Sequence, residues 1–324
     1  MTGTGNDFVL IDTIRHDLGP LRTAWPSVAR RLCHRATGPG ADGLLVLSRS
    51  ATADVRMRIF NPDGSEPSMC GNGIRCLARY VIQGAGGRPT PAVVKGGPGG
   101  QAHPGGRERR AGGAGGGSVT IDTRDGIKRA VVQNAARVTI DMGIPRLIEH
   151  LDHLRVGPQR LAHLDLIDSG VPHLVCWVDD VARIDVEDLG RRLRRHPRFR
   201  PAGVNVDFIQ LLDEQRASRS RTCSVTIRMR TYERGVEGET RACGTGAVAA
   251  ATSVAHASIM GTAAHDARTL SYHVQVRVPG GLLRVRLDLL CGQDGRLTVR
   301  RALLEGEARE LGRGTVRWNG KGVG

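Results

Sequence analysis

Apolar residues recur along this chain in two periods. Ile74, Leu77, Ala78, Val81 and Ile82 keep the i, i+3, i+4, i+7, i+8 spacing of one helical face. A second helix is predicted after Cys243, with Val248, Ala251, Thr252 and Ala255 on one side and Ala247, Ala249 and Ala250 filling the others. A helix with small residues all round belongs in a core. Trp25 to Leu32 predicts a further helix, and Val181 to Arg195 a basic one ended by Pro197. Alternating runs predict strands at Val9–Ile11, Leu44–Leu47, Arg56–Phe60, Ser118–Thr123, Gly126–Gln133 and Ala136–Met142. Later strands are predicted within Ile167–Val178 and at Val206–Leu211, Ser224–Thr231, Tyr272–Val278, Leu282–Leu290 and Leu297–Leu303.

Both central helices follow the same polar device. Pro62 to Ile82 reads P-D-G-S-E-P-S-M-C-G-N-G-I-R-C-L-A-R-Y-V-I, and Tyr232 to Val254 reads Y-E-R-G-V-E-G-E-T-R-A-C-G-T-G-A-V-A-A-A-T-S-V. The shared pattern is E-x-x-x-C-G-x-G, with Glu66 ahead of Cys70 and Glu239 ahead of Cys243. A cysteine at a helix N-terminus meets open backbone N–H groups and the positive end of the helix dipole. That favours thiolate over thiol and attracts an anionic group of a ligand. Two such thiols, one in each half, suggest an acid and a base on opposite faces of one substrate carbon. A thiol brought down from about 8.5 toward neutrality suits that work, and a coupled pair holds one thiolate and one thiol.

Composition changes this picture little. The length of 324 residues allows two domains, and 40% apolar residues supply their cores. Seven cysteines without tight C-x-x-C spacing point to reduced thiols and a cytoplasmic setting; Cys33 and Cys76 read as core. No apolar run approaches membrane-spanning length. The net charge of +15 raises a nucleic-acid role, but the excess is scattered arginine with only 3% aromatics to stack bases, so a solvated basic surface is the better reading. Its arginine clusters lie at 107–110, 191–200 and 216–221. Gly84 to Gly117 is glycine- and proline-rich and is expected to be a flexible surface insertion.

Six blocks carry a resemblance: G-T-G-N-D-F-V-L-I-D at Gly3–Asp12, N-P-D-G-S-E at Asn61–Glu66, M-C-G-N-G-I-R at Met69–Arg75, G-V-P-H at Gly170–His173, N-V-D-F at Asn205–Phe208 and E-R-G-V-E-G-E-T-R-A-C-G-T-G at Glu233–Gly246. In this order they resemble diaminopimelate epimerase. The resemblance implies an α+β fold of two pseudo-symmetric domains, each a mostly antiparallel sheet wrapped round a central helix. The expected domains are 1–134 with the insert 84–117, then 135–310, with 311–324 returning to the first. It implies cofactor-free interconversion of LL- and meso-2,6-diaminopimelate on the route to lysine, with Cys70 and Cys243 as catalytic residues. Asn6, Asn61, Gly71, Asn72, Asn205, Glu233, Arg234, Gly244 and Thr245 are the implied substrate contacts, and His173 and Glu233 the residues that tune the thiols. A homodimer with no metal, nucleic-acid or membrane partner is expected. Two departures stand out. Met1 lies almost inside the first block, as if a short first strand were lost or the start placed late, and Val171 stands where the family often has Asn.

Rival chemistries fit less well. Gly244 to Ala249 matches G-x-G-x-x-A of dinucleotide binders, yet a polar loop precedes it instead of an apolar strand. A pyridoxal phosphate enzyme needs a Schiff-base lysine, and Lys95, Lys128 and Lys321 have no supporting motif. The cysteines lack the close pairs of a metal site. A racemase of proline or hydroxyproline, or an arginine-rich binding protein on a retired enzyme scaffold, are the alternatives.

Overall fold

The chain builds two units, Met1–Ile140 with the segment from Gly306 onward and Asp141–Glu305, and both follow one order of elements. The computed structural model describes residues 1–16, 18, 24–84, 116–134, 136–216, 222–260, 268–292 and 297–316. The expected insertion over 84–117, apart from its ends, lies outside the described residues. So do Lys95, Lys321 and the arginines at 107–110.

The first unit contains β1 (Thr2–Gly3), β2 (Asn6–Asp12), α1 (Trp25–Leu32), β3 (Gly43–Ser48), β4 (Val55–Phe60), α2 (Gly71–Gln83), β5 (Gly117–Thr123), β6 (Gly126–Val132) and β7 (Arg137–Gly143), the last crossing into the second. β2 and β3 are parallel with α1 between them in sequence, and β3 pairs antiparallel with β4. β4 and β5 are parallel with α2 between them, and β5 pairs antiparallel with β6. Each parallel pair therefore spans a helical crossover, which a tight turn could not supply.

The second unit contains β8 (Arg146–Val156), β9 (Gln159–Asp168), β10 (Pro172–Trp177), α3 (Val186–Arg194), β11 (Asn205–Arg216), β12 (Thr222–Glu233), β13 (Gly238–Thr240), α4 (Gly244–Met260), β14 (Arg268–Val278), β15 (Gly281–Cys291) and β16 (Leu297–Glu307). Here β10 and β11 are parallel around α3, and β11 is antiparallel to β12. β12 and β14 are parallel around α4, and β14 is antiparallel to β15. The succession parallel, antiparallel, parallel, antiparallel is the same in both units, so each is a mixed, largely antiparallel sheet. α2 packs against β1 to β6, and α4 against β8 to β11, β14 and β15.

Local sequence accounts for the helices. Trp25, Val28, Ala29 and Leu32 form the buried face of α1, and Pro26 sits in its first turn where no N–H is missed. α2 buries Ile74, Leu77, Ala78 and Val81 and stops at Gly84, whose φ of 70° suits glycine. The basic helix expected over 181–195 is instead two pieces. Asp180 caps a single 3-10 turn at Val181–Arg183, and Asp185 caps α3 with a side-chain bond to the Asp188 N–H. Two caps in succession stop one helix and start another. Thr2 and Arg309 exchange two backbone hydrogen bonds of 2.8 Å within the first unit. Among the described residues no helix is long and apolar enough to cross a membrane.

Candidate active site

The repeated device gives two corresponding thiol sites, one in each unit. Cys70 is the N-cap of α2, and its sulfur accepts from the Gly73 N–H at 3.4 Å. Cys243 precedes α4, and its sulfur accepts from the Gly246 N–H at 3.4 Å. The third residue after each thiol must be glycine because a neighbour comes close. A Cβ on Gly73 would meet Leu45 Cδ2 at 2.8 Å, and one on Gly246 would overlap Asp207 Oδ1. The glutamates of the two motifs are held alike. Glu66 accepts from Arg58 Nε and Nη2 at 2.8 Å each, and Glu239 from Arg230 Nε and Nη2 at 2.7 and 2.6 Å. These bidentate pairs tie the segment before each cysteine to the neighbouring strand.

Strand registers set the two sites residue against residue. Phe8 lies opposite Gly43 and Leu45 opposite Ile59 in the first unit. His173 lies opposite Asn205 and Asp207 opposite Thr231 in the second. At the start of α2 the strands place Leu45 and Ile59, with Phe8 on the neighbouring strand, all apolar. Around Cys243 the matching positions are His173, Asp207 and Thr231, all polar. On the helices, five residues past each cysteine, Arg75 corresponds to Val248.

In the second unit His173 Nδ1 stands 2.7 Å from Asp207 Oδ2, and its Nε2 stands 2.9 Å from Thr245 Oγ1. Thr231 donates to Asp207 Oδ1 at 2.7 Å. A carboxylate only accepts, so Nδ1 carries the hydrogen toward Asp207. Thr245 Oγ1 lies 3.4 Å from Cys243 Sγ, which completes a chain Cys243–Thr245–His173–Asp207. Asn205 accepts from the Arg234 N–H at 2.8 Å, leaving its Nδ2 toward the Pro172 carbonyl and His173. The Arg234 guanidinium bonds to the carbonyls of Ala202 and Gly203. Burial pushes the Glu233 carboxyl above its usual range.

Cys243 departs from the expectation set by its helix. Burial, then the charges of Glu233 and Asp207, push its thiol well above the ordinary value, outweighing the bonds from Thr245 and Gly246. A helix N-terminus offers at most about 2 kcal/mol. Desolvation next to two carboxyl groups exceeds that. Cys243 is therefore held as a thiol.

In the first unit the polar groups form a directed chain. Arg75 donates to Asn72 Oδ1 at 2.5 Å, Asn72 Nδ2 donates to Asn6 Oδ1 at 2.5 Å, and Asn6 Nδ2 donates to Asp42 Oδ2 at 3.2 Å. An arginine can only donate and a carboxylate only accept, so both amides have one orientation. Val171 occupies the place of Asn6 in the second unit, with no side-chain group for such a chain. Asn61 lies in the turn after β4 and donates to Ser65 Oγ at 3.0 Å. Gly71, Asn72, Gly244 and Thr245 occupy the first turns of α2 and α4. Cys33 and Cys76 are buried, and burial raises them to about 11 and about 12. Lys128 is ion-paired with Asp125 at 2.7 Å.

Two residues of these sites were not legible as such. Asp207 shares the face of Asn205 at i+2 in the block N-V-D-F, and a carboxylate among Val206, Phe208 and Ile209 was the available signal. Arg75 lies off the apolar stripe of α2, yet its side chain is fully buried. Its Nε and Nη1 have no hydrogen-bond partner, and no carboxylate among the described residues pairs with it. Desolvating a guanidinium costs several kcal/mol, and its bonds to Asn72 and Thr4 return about 1.5–3 kcal/mol each.

Comparisons with known proteins bear on this arrangement. A family model described as diaminopimelate epimerase matches residues 1–102 and 166–288. A diaminopimelate epimerase of Moorella thermoacetica is 39% identical over 267 residues, covering 78% of this chain and 80% of the relative. One of Archaeoglobus fulgidus is 34% identical over 304 residues, covering 89% and 88%. Among solved structures, a probable proline racemase of Agrobacterium radiobacter K84 superposes with a TM-score of 0.59 at 18% identity, covering 98% of this chain and 92% of that one. That likeness shows the fold alone. Matched through both cysteine motifs and over most of its length, the chain belongs to the diaminopimelate epimerase family.

Proposed function

We propose that this chain interconverts LL- and meso-2,6-diaminopimelate without a cofactor, in lysine biosynthesis, using Cys70 and Cys243 as its acid–base pair. The observation that carries this reading is the pair of thiols at two helix N-termini, set in opposite electrostatic surroundings. Epimerisation needs a thiolate to remove the Cα proton and a thiol to return one from the other face; after turnover the two have exchanged protonation states. Cys243, raised by burial and by Glu233 and Asp207, suits the thiol. The N–H groups at the starts of α2 and α4 suit the substrate carboxylate, whose developing charge they would stabilise in the transition state. Asn6, Asn61, Asn72, Asn205, Glu233 and Arg234 are assigned to the substrate, Glu233 to its amino group and Arg234 to a carboxylate. His173 and Glu233 are assigned to tuning Cys243. A cytoplasmic homodimer is the proposed working form.

The test is proton NMR of LL-diaminopimelate with reduced protein in D2O, with L-proline in a parallel tube. Loss of the Cα–H signal with appearance of the meso isomer is the expected result. Exchange confined to proline would move the substrate to the cyclic imino acids. No exchange in either tube would overturn the enzymatic reading.

A further inference from the structure

Two costly features of the first unit meet at one hydrogen bond. Arg75 is fully buried, with two of its three guanidinium nitrogens unpartnered. Thr4, which accepts from its Nη2 at 2.8 Å, has a φ of 49°. A β-branched residue in the left-handed region is an outlier. Gly3 lets this segment press onto α2, since a Cβ there would meet the Asn72 carbonyl at 2.9 Å and Cys76 Sγ at 3.1 Å. The second unit has Val248 at the place of Arg75 and does without the charge.

We propose that Arg75 is a positioning residue for the epimerisation, a buried cation that holds Cys70 as a thiolate and fixes the Asn72–Asn6 amide chain in one orientation. The Asn72 oxygen is occupied by Arg75 and the Asn6 oxygen by Asn72, so the donor ends of the chain run away from the helix. Reversing either amide would set two donors or two acceptors face to face. The titratable groups around this end of α2 are Cys70 and Cys76 on the helix, Arg79 one turn further, the Met1 ammonium and, beyond the two amides, Asp42. Cys76 is held as a neutral thiol by burial. Burial brings Arg75 down to about 10, which leaves it charged at neutral pH, and its charge interacts with Cys70.

The inference rests on Cys70 being the reactive thiol of its unit, and its test is read first without substrate. In substrate-free full-length protein, the rate of iodoacetamide addition to Cys70 is followed against pH by peptide mass spectrometry, in wild type, Arg75→Met, Arg75→Lys and Thr4→Gly. Arg75→Met is expected to slow Cys70 alkylation at neutral pH about tenfold or more and to move its midpoint upward. Arg75→Lys should restore much of the rate, because it keeps the charge. Thr4→Gly, which relieves the backbone while removing one acceptor, should keep the alkylation profile and raise KM through the loosened amide chain. An Arg75→Met protein with the wild-type Cys70 profile would overturn the proposal. If Arg75→Met does not fold, the Lys variant decides: a wild-type-like profile upholds the role of the charge, and a profile as slow as expected for Met overturns it. Failure of diaminopimelate turnover with an intact alkylation difference would overturn the substrate reading and leave this one standing.

Discussion

The site around Cys70 and the site around Cys243 share a scaffold and differ in charge. Both have an arginine–glutamate clasp before the cysteine, a helix starting on the thiol, and a glycine in its first turn against the sheet. Within that frame, Phe8, Leu45 and Ile59 hold the positions of His173, Asp207 and Thr231, and Arg75 that of Val248. One sulfur has a cation near it and apolar neighbours beneath; the other has two carboxyl groups and a histidine. The repeated frame brings a sulfur to a helix start twice. The unmatched residues give the two sulfurs different surroundings.

The most damaging change is loss of either thiol. Cys70→Ala and Cys243→Ala are each expected to lower kcat for epimerisation by about 100- to 10,000-fold, measured by circular dichroism or NMR of the product. An active Cys70→Ala or Cys243→Ala enzyme would end the comparison as a catalytic one.

Next comes the difference in resting reactivity. Cys70 is partly exposed, and Cys243 is 5% exposed and raised by burial and by Glu233 and Asp207. Iodoacetamide at neutral pH should therefore label Cys70 well before Cys243. The linked stability has a definite sign. A thiol raised in the folded state contributes fully below its ordinary value of 9.0 and loses that contribution as pH climbs past it. The urea midpoint of wild type should fall more steeply above that pH than that of Cys243→Ala. Asp207→Asn sharpens the same contrast, because removing a carboxylate should move Cys243 labelling to lower pH while leaving Cys70 unchanged.

The smallest expected effect tests the shared part. Glu66→Gln and Glu239→Gln each break one clasp, at about 1 kcal/mol in urea unfolding, since both pairs are partly solvated. The hydrogen bonds from Arg58 hold the Glu66 carboxyl below the usual carboxylate range. Its stabilisation is present above that range and is lost as pH falls through the lowered value. A Glu66→Gln penalty that persists unchanged at pH 3 would show that the clasp is not electrostatic.

Much of this was readable from sequence because it is local. The period of α2, the small residues of α4 and the two C-G-x-G turns state their roles within a dozen residues. The hairpin of β8 and β9 escaped because Leu147, Ile148, Leu151 and Leu154 have a helix-like spacing, and a register shift between Leu147 and Glu149 breaks the alternation. Arg75 and Asp207 escaped for a different reason. Their meaning depends on what lies across the sheet and beneath the helix, and no local pattern marks a charge as buried. The thiolate expectation at Cys243 failed on the same ground: the helix start was visible, and the carboxyl groups around it were not.

Ala247, Ala249, Ala250, Ala251 and Ala255 of α4 are all fully buried, and Val248 and Val254 nearly so. Between Ala247 and Ala255 this helix has no face left for variation. In a saturation library, survivors at these positions should be confined to residues about the size of alanine or valine around the whole circumference. The outer face of α3, by contrast, should accept almost any side chain. The second unit would then evolve through its strands and loops, with the buried turns of α4 as the part that working descendants inherit nearly unaltered.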